Sequence, residues 1–199
     1  MAVNLQKGQR VDLTKGKAGL SKVTVGLGWQ AASSPRLFGI FRLPSHEIDC
    51  DATVFLCNEQ GKIMNFRNDI VYYGNLRHSS RSVIHSGDNL VGGTGANDDE
   101  QIVIELNLVP QIYSRLVFVV NIYQAVQRNQ HFGMVNNAYI RVFDAANNEL
   151  CRYNLSENYD NMYAMILGEM YRYEGEWRFT AIGQATQDRD ILEIANRYR

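Results

Sequence analysis

The chain has 199 residues, of which 45% are hydrophobic and 21% charged, the composition of an ordinary soluble globular protein. Its formal net charge of −1 gives no sign of the basic patch that nucleic-acid binding needs, so no nucleic-acid partner is expected. No apolar run is long enough to span a bilayer or to resemble a signal peptide. Cys50, Cys57 and Cys151 have no metal-type spacing and indicate reduced thiols, so we expect a cytoplasmic protein.

Short segments rich in β-branched and aromatic residues recur along the chain and predict strands. Turn residues at 58–62 (NEQGK) and 144–149 (DAANNE) predict hairpin turns. The segment 162–173, followed by further aromatic residues, predicts a strand that leads into a hairpin. The remaining predicted strands, in chain order, are 20–30, 49–57, 100–108, 115–123, 138–145 and 177–184.

Helical segments are few. Short helical turns are predicted at 109–114 and 123–129. A C-terminal helix is predicted after Asp188, a candidate N-cap, because apolar residues then recur with a helical period. Many short strands and few helices predict an all-β fold, a β-sandwich with a few short helices and a C-terminal helix, and the chain length fits a single domain spanning residues 1–199.

Paired acids open the predicted strand at 49–57. Asp49 and Asp51 are two residues apart, so both point to one face, while Cys50, Ala52, Val54 and Leu56 form a core-facing row. Two carboxylates roughly 7 Å apart repel each other by about 2 kcal/mol at an effective dielectric constant near 20. A bound cation would offset this repulsion; a polar strand end in water is the alternative.

A glycine-rich acidic loop, residues 87–100 (GDNLVGGTGANDDE), leads into the predicted strand at 100–108. It nearly matches a phosphate-binding loop, but Gly93 replaces the lysine that would meet phosphate, and a strand replaces the following helix. A solvated connection is the simplest alternative, since Gly, Asn and Asp are turn residues. A hard-cation site is the third interpretation, because calcium takes oxygen ligands from carboxylates, amides and backbone carbonyls. The loop does not have the EF-hand spacing.

Other candidate chemistry is weak. The four histidines match no metal-ligand spacing, and no G-x-S-x-G motif is present. His46 and His85 precede the acidic motifs, so either could act near bound ions; a surface position is the simpler interpretation of both.

The two acidic motifs together resemble those of the TerD tellurite-resistance family, which also occurs among bacterial general stress proteins. "DCDATVFL" resembles its D-L-D-x-S strand, and "GDNLVGGTGANDDE" resembles its G-D-N-L-T-G-x-G-x-G-D-D-E loop with one additional residue. The similarity continues through 132–144, 150–157 and 168–184.

This resemblance implies a cytosolic β-sandwich that binds calcium, as two ions, at one end. It also implies a role in resistance to tellurite and other chemical stress, with a membrane protein of the same resistance system as partner. Leu90 and Gly92 would donate backbone carbonyls. The implied metal ligands are Asp49, Asp51, Asp88, Asn89, Leu90, Gly92, Asp98, Asp99 and Glu100.

The sequence therefore predicts a calcium-binding stress-response protein without catalytic activity. One alternative is a metal-dependent hydrolase; another is an interaction module that docks a membrane protein or anionic lipid. Calcium favours the non-catalytic interpretation, because two-metal hydrolases generally use ions other than calcium.

Overall fold

The computed structural model describes residues 2–16, 19–31, 48–87 and 98–199, with the backbone alone described at 30 and 31. Strands account for most of the regular structure within these ranges. In chain order they are β1 (Val3–Leu5), β2 (Arg10–Asp12), β3 (Lys22–Ala31), β4 (Cys50–Cys57), β5 (Ile70–Val71), β6 (Val83–His85), β7 (Glu100–Glu105), β8 (Arg115–Ile122), β9 (Val135–Asp144), β10 (Glu149–Asn154), β11 (Ala164–Tyr173) and β12 (Glu176–Thr186).

The described strands form two six-stranded sheets that confirm the predicted β-sandwich. The first sheet has the order β1-β10-β9-β3-β7-β6, and the second has the order β2-β12-β11-β8-β4-β5. Neighbouring strands are antiparallel except β1, which runs parallel to β10. One large apolar cluster, with residues from both sheets, lies between them.

The alternation of side chains in β4 follows the sequence pattern. Its inward row is buried and belongs to the central cluster, as predicted: Cys50, Ala52, Val54 and Leu56. The outward-facing Phe55 and Cys57 are also buried, in a second apolar cluster that includes C-terminal residues. Both faces of β4 are therefore covered beyond its first residues.

Two short α-helices are described, α1 (Ala125–Arg128) and α2 (Ile191–Ala195). The C-terminal helix is confirmed, but its N-cap is Asp190, whose side chain accepts a hydrogen bond from Glu193 N at 2.8 Å. Asp188 instead pairs with Arg197 at 2.6 Å. No helix of the described residues is long and apolar enough to cross a membrane.

The helical turn predicted at 109–114 is present only as one hydrogen-bonded turn, in which Tyr113 N donates to the carbonyl of Pro110 at 3.0 Å. A 3-10 helix lies one turn earlier, at Leu106–Leu108, and Val109 has extended backbone angles. Val109 precedes Pro110, whose ring disfavours helical geometry at the residue before it. The hairpin between β11 and β12 is confirmed, and it turns through Glu174 and Gly175, which both have positive φ angles.

Antiparallel pairing brings several strand ends to one end of the sandwich. Leu27 of β3 pairs with Glu100 at the start of β7, and His85 at the end of β6 pairs nearby with Ile102. The start of β4 reaches the same place, because Ala52 N donates a hydrogen bond to Glu100. We call this place the acidic end, defined by Asp49, Asp51, Asp99 and Glu100.

Candidate metal site

The two strand acids lie at the beginning of β4. Asp49 is exposed, and its carboxylate lies 3.7 Å from Arg128 of α1. Its backbone is fixed, because Tyr123 N donates to its carbonyl at 2.7 Å. Asp51 is half-buried within β4 and lies opposite Asn121 of β8. The sheet therefore positions both acids before any ligand arrives.

Glu100 connects the two sheets. Its side chain is only 4% exposed, and Oε2 accepts a hydrogen bond from Ala52 N at 2.6 Å. His85 Nε2 lies 3.4 Å from the same oxygen and 3.2 Å from the carbonyl of Ala52. Gly87 N donates to His85 Nδ1, which places the proton of the neutral ring on Nε2, between those two oxygens. His85 is thus buried, and the predicted surface position for it is wrong.

Asp99 lies beside β3, which supplies one backbone donor to its carboxylate. Its N–H donates to the carbonyl of Leu27, and its Oδ2 accepts from Trp29 N at 2.7 Å. Burial raises the pKa of Asp99, the Trp29 hydrogen bond opposes that rise, and the charge of Asp98 adds to it. The surroundings of Asp99 therefore stabilise its anionic form less well than water does.

The buried thiol of Cys50 reports on the charge of the whole acidic end. Its pKa is raised far above the usual range, first by burial and then by the charges of Asp51, Asp49, Glu100 and Asp99 in that order. The D-x-D strand and the D-D-E sequence thus supply four carboxylates around one residue. The structure brings these four predicted site residues together.

Asp98 has different surroundings. Its side chain is fully buried on the outer face of the first sheet. Oδ1 accepts from Tyr139 OH and Arg141 Nε, both at 2.8 Å, and Oδ2 accepts from Arg141 Nη2 at 2.9 Å and Gln101 Nε2 at 3.0 Å. Gly26 lies so close that a Cβ there would clash with the carboxylate. Four donors use the acceptor capacity of the two oxygens.

The other predicted ligands, Asp88, Asn89, Leu90 and Gly92, lie outside the described residues, so their role stays a prediction. Within the part of the chain that the structure describes, no group of three or more His, Cys, Asp or Glu residues has the arrangement of a metal site. The described acids are therefore an incomplete set of ligands by themselves.

Sequence reasoning preferred a surface position for His85 and did not single out Asn121. His85 alternates with the buried Val83 along β6, and that short pattern was the available signal. Asn121 is 4% exposed in β8, and nothing local distinguishes it, because its neighbours across the sheet come from distant segments.

Comparison with known proteins places this chain in one family. The TerD domain model matches residues 1–198, and the chain belongs to that family. Its relatives carry stress and tellurium-resistance names. The stress response protein SCP2 of Bacillus subtilis is 50% identical over 201 residues, covering 100% of both chains. The tellurium resistance protein TerD of Serratia marcescens is 40% identical over 185 residues, covering 92% of this chain and 91% of that protein.

A solved structure gives independent support for the fold. The crystal structure of a Streptomyces coelicolor homologue of the telluride resistance protein TerD superposes with a TM-score of 0.59. It covers 87% of this chain and 95% of its own at 19% identity, so it supports the fold alone.

Proposed function

We propose that this protein is a calcium-binding stress-response protein without catalytic activity. In this proposal Asp49, Asp51, Asp99 and Glu100 supply ligands from the acidic end, and the segment 88–97 completes the coordination. The observation that carries the proposal is the convergence of these four carboxylates where β4 and β7 begin.

The chemistry of these groups fits calcium. Calcium takes six to eight oxygen ligands in irregular geometry, and carboxylates are its preferred side-chain donors. The described cations near the four acids are Arg128 and, if protonated, His85. A divalent ion would offset the remaining repulsion. The resemblance implies two ions, and the number is part of the proposal.

Asp98 is not part of the proposed ligand set. Its oxygens are already engaged by Tyr139, Arg141 and Gln101, and a cation would have to displace a bidentate guanidinium. We propose that Asp98 anchors the start of β7 and so positions Asp99 and Glu100. The relatives' stress and resistance names support the cellular role, and a membrane-protein or anionic-lipid partner stays a prediction.

The arrangement that most resembles a catalytic triad in the described residues is Ser80–His78–Asp69. Ser80 Oγ lies 2.6 Å from His78 Nδ1, but His78 Nε2 is 3.6 Å from Asp69 Oδ1, too long for a hydrogen bond. Asn68 Nδ2 donates to both of those atoms, and Tyr113 OH donates to Asp69. We propose that this network fixes the loops around β5 and has no catalytic role.

Titration of the chelated protein with Ca²⁺ tests the proposal. Calorimetry counts the ions, and amide NMR follows Trp29 and Ala52, whose N–H groups donate to Asp99 and Glu100. Both amide signals should shift as calcium binds, and Mg²⁺ at equal concentration should not reproduce the shift. Zero bound ions, or complete displacement of calcium by millimolar magnesium, would overturn the proposal.

A matched pair of variants localises the site. Asp51→Asn removes one charge at the acidic end. Glu105→Gln removes one charge at the other end of β7, five residues and roughly 17 Å from Glu100, where Glu105 pairs with Lys22. Only Asp51→Asn should weaken calcium binding. Equal affinity in the two variants would contradict a site at the acidic end.

A further inference from the structure

A cavity of about 610 Å³ opens on the outer face of the second sheet. It lies between the residues after β5, the segment that contains α1, and the start of α2. Its volume is within the range of small-molecule sites, about 300–1,000 Å³. None of the four acids proposed to bind calcium lines it. The cavity is therefore a separate feature of the same molecule.

A buried amide forms part of the cavity floor. Asn121 is 4% exposed, and its Oδ1 has no hydrogen-bond partner among the residues that the structure describes. A buried carbonyl oxygen without a donor is energetically costly, and such groups are usually satisfied by protein, water or ligand. A ligand that presents an N–H group to the floor would supply the missing donor.

Tyrosine rings form the walls. The rings of Tyr72 and Tyr73 meet edge to face, with centroids 5.0 Å apart and an interplanar angle of 77°, and so form a corner. Tyr73 is 50% exposed, and Tyr123 on the other side is 37% exposed. The Arg128 guanidinium lies 5.2 Å from the Tyr123 ring centroid. Aromatic faces attract cations in this way because of the negative charge above the ring.

The charged residues that line the cavity also favour a cation. Asp190 and Glu193 are opposed by Arg189 alone among the charged lining residues. Asp190 Oδ1 accepts a hydrogen bond from Glu193 N and Glu193 Oε2 accepts one from Arg189 N, both at 2.8 Å, so both carboxylates are held in place beside the cavity. Burial raises the pKa of Tyr73, and the nearby charges of Asp51 and Asp190 add to that rise. This negative environment disfavours phosphates and carboxylates.

We propose that this cavity binds a primary organic ammonium with an apolar or aromatic body. The ammonium donates a hydrogen bond to Asn121 Oδ1, and the body lies in the corner formed by Tyr72 and Tyr73. None of the four acids proposed to bind calcium lines this cavity, but Asn121 lies opposite Asp51, so calcium and ammonium titrations are both needed to separate the two proposals.

Titration with 2-phenylethylammonium tests the proposal, monitored by calorimetry and by the amide signals of Asn121 and Tyr73. The matched anion is 3-phenylpropanoate, and the matched cation without N–H groups is the trimethylated derivative. The ammonium should bind at least about tenfold more tightly than the anion. It should also bind more tightly than the trimethylated cation, which cannot donate to Asn121. Absence of ammonium binding, or equal binding of the anion, would overturn the proposal.

Two variants separate the parts of the site. Tyr73→Leu keeps an apolar wall but removes the aromatic face, and should weaken ammonium binding about threefold to fivefold. Tyr173→Leu is the control, because Tyr173 is 46% exposed at the distant β11–β12 hairpin; it should have no effect.

Asn121→Ala should weaken ammonium binding about tenfold or more. Calcium titration of the same variant distinguishes a role at the metal site: loss of calcium binding with unchanged ammonium binding would assign Asn121 to the metal and overturn the proposal. Unchanged ammonium binding in Tyr73→Leu would also overturn it.

Discussion

Asp98, Asp99 and Glu100 are consecutive, but their carboxylates have opposite surroundings. Asp98 lies on the outer face of the first sheet, and the other two lie at the acidic end. On the outer face, Asp98 accepts hydrogen bonds from four donors, two of which are Nε and Nη2 of the Arg141 guanidinium. At the acidic end, Asp99 and Glu100 join two strand acids, and the described cations near them are fewer than the acids. Regular alternation would place Asp98 and Glu100 on one face, but the chain bends at Asp99, before β7 begins, and this bend separates Asp98 from the acidic end.

Asp69 shows that the saturated arrangement is not unique to Asp98. It is fully buried and accepts hydrogen bonds from Asn65 N, Asn68 Nδ2 and Tyr113 OH. Such carboxylates stabilise local structure and have little capacity left for a cation. A carboxylate whose oxygens are already hydrogen-bonded by protein donors has a structural role, whereas one with free acceptor capacity can bind a metal. The number of acids in a motif does not make this distinction.

The largest expected effect comes from Arg141→Leu. Asp98 would stay buried without its guanidinium, and the free energy of unfolding should fall by about 3–5 kcal/mol, measured by urea denaturation. Lys7→Leu is the control, because Lys7 and Glu157 are about half exposed and such pairs contribute under about 1 kcal/mol. Equal losses in the two variants would show that Asp98 is not an anchor.

Calcium should have the next largest effect on stability. If it binds only the folded protein, a hundredfold excess over the Kd should raise the free energy of unfolding by about 2.7 kcal/mol. Magnesium at the same concentration should add much less. Hydrogen exchange of the Trp29 and Ala52 amides should slow in calcium, because both donate to proposed ligands. Unchanged exchange would place the ion elsewhere.

Asp51→Asn and Asp98→Asn test the comparison directly. Asp51→Asn should weaken calcium binding about tenfold or more, while the chelated protein keeps or slightly gains stability as like-charge repulsion falls. Asp98→Asn should lower stability and change calcium affinity less. Calorimetry and urea denaturation of both variants give the two readouts. If Asp98→Asn proved the more damaging to calcium binding, Asp98 would belong to the ligand set.

The smallest expected effect is a pH dependence from His78. Burial lowers its pKa from 6.5, while Asp69 opposes that shift. The unfolded chain then binds the proton more readily, so stability is full above about pH 6.5 and falls as the pH is lowered through the two pKa values. Urea midpoints measured in chelator should therefore decrease between about pH 7.5 and 5.5.

Two histidine variants provide the control for this pH dependence. His78→Gln should reduce the slope, whereas His131→Gln, at a less buried position, should keep most of it. An unchanged slope in His78→Gln would assign the effect to another group.

The sequence by itself determined the features that depend on local periodicity. Alternating apolar residues predicted the inward face of β4, and turn residues predicted the hairpin between β9 and β10. Of the acids in the D-x-D and D-D-E motifs, four lie at the acidic end and Asp98 is held apart from them. These patterns are readable because each strand exposes its two faces in strict alternation.

The tertiary structure decided what depends on distant partners. The short strands β1 and β5 have too few residues for a pattern, and pairing with neighbours defines them. Asp190 rather than Asp188 caps α2, because Asp188 is bound by Arg197. Asp98 became an anchor because β9 brings Tyr139 and Arg141 to it across the sheet. A carboxylate's role depends on which donors surround it, and those donors come from segments far away in the chain.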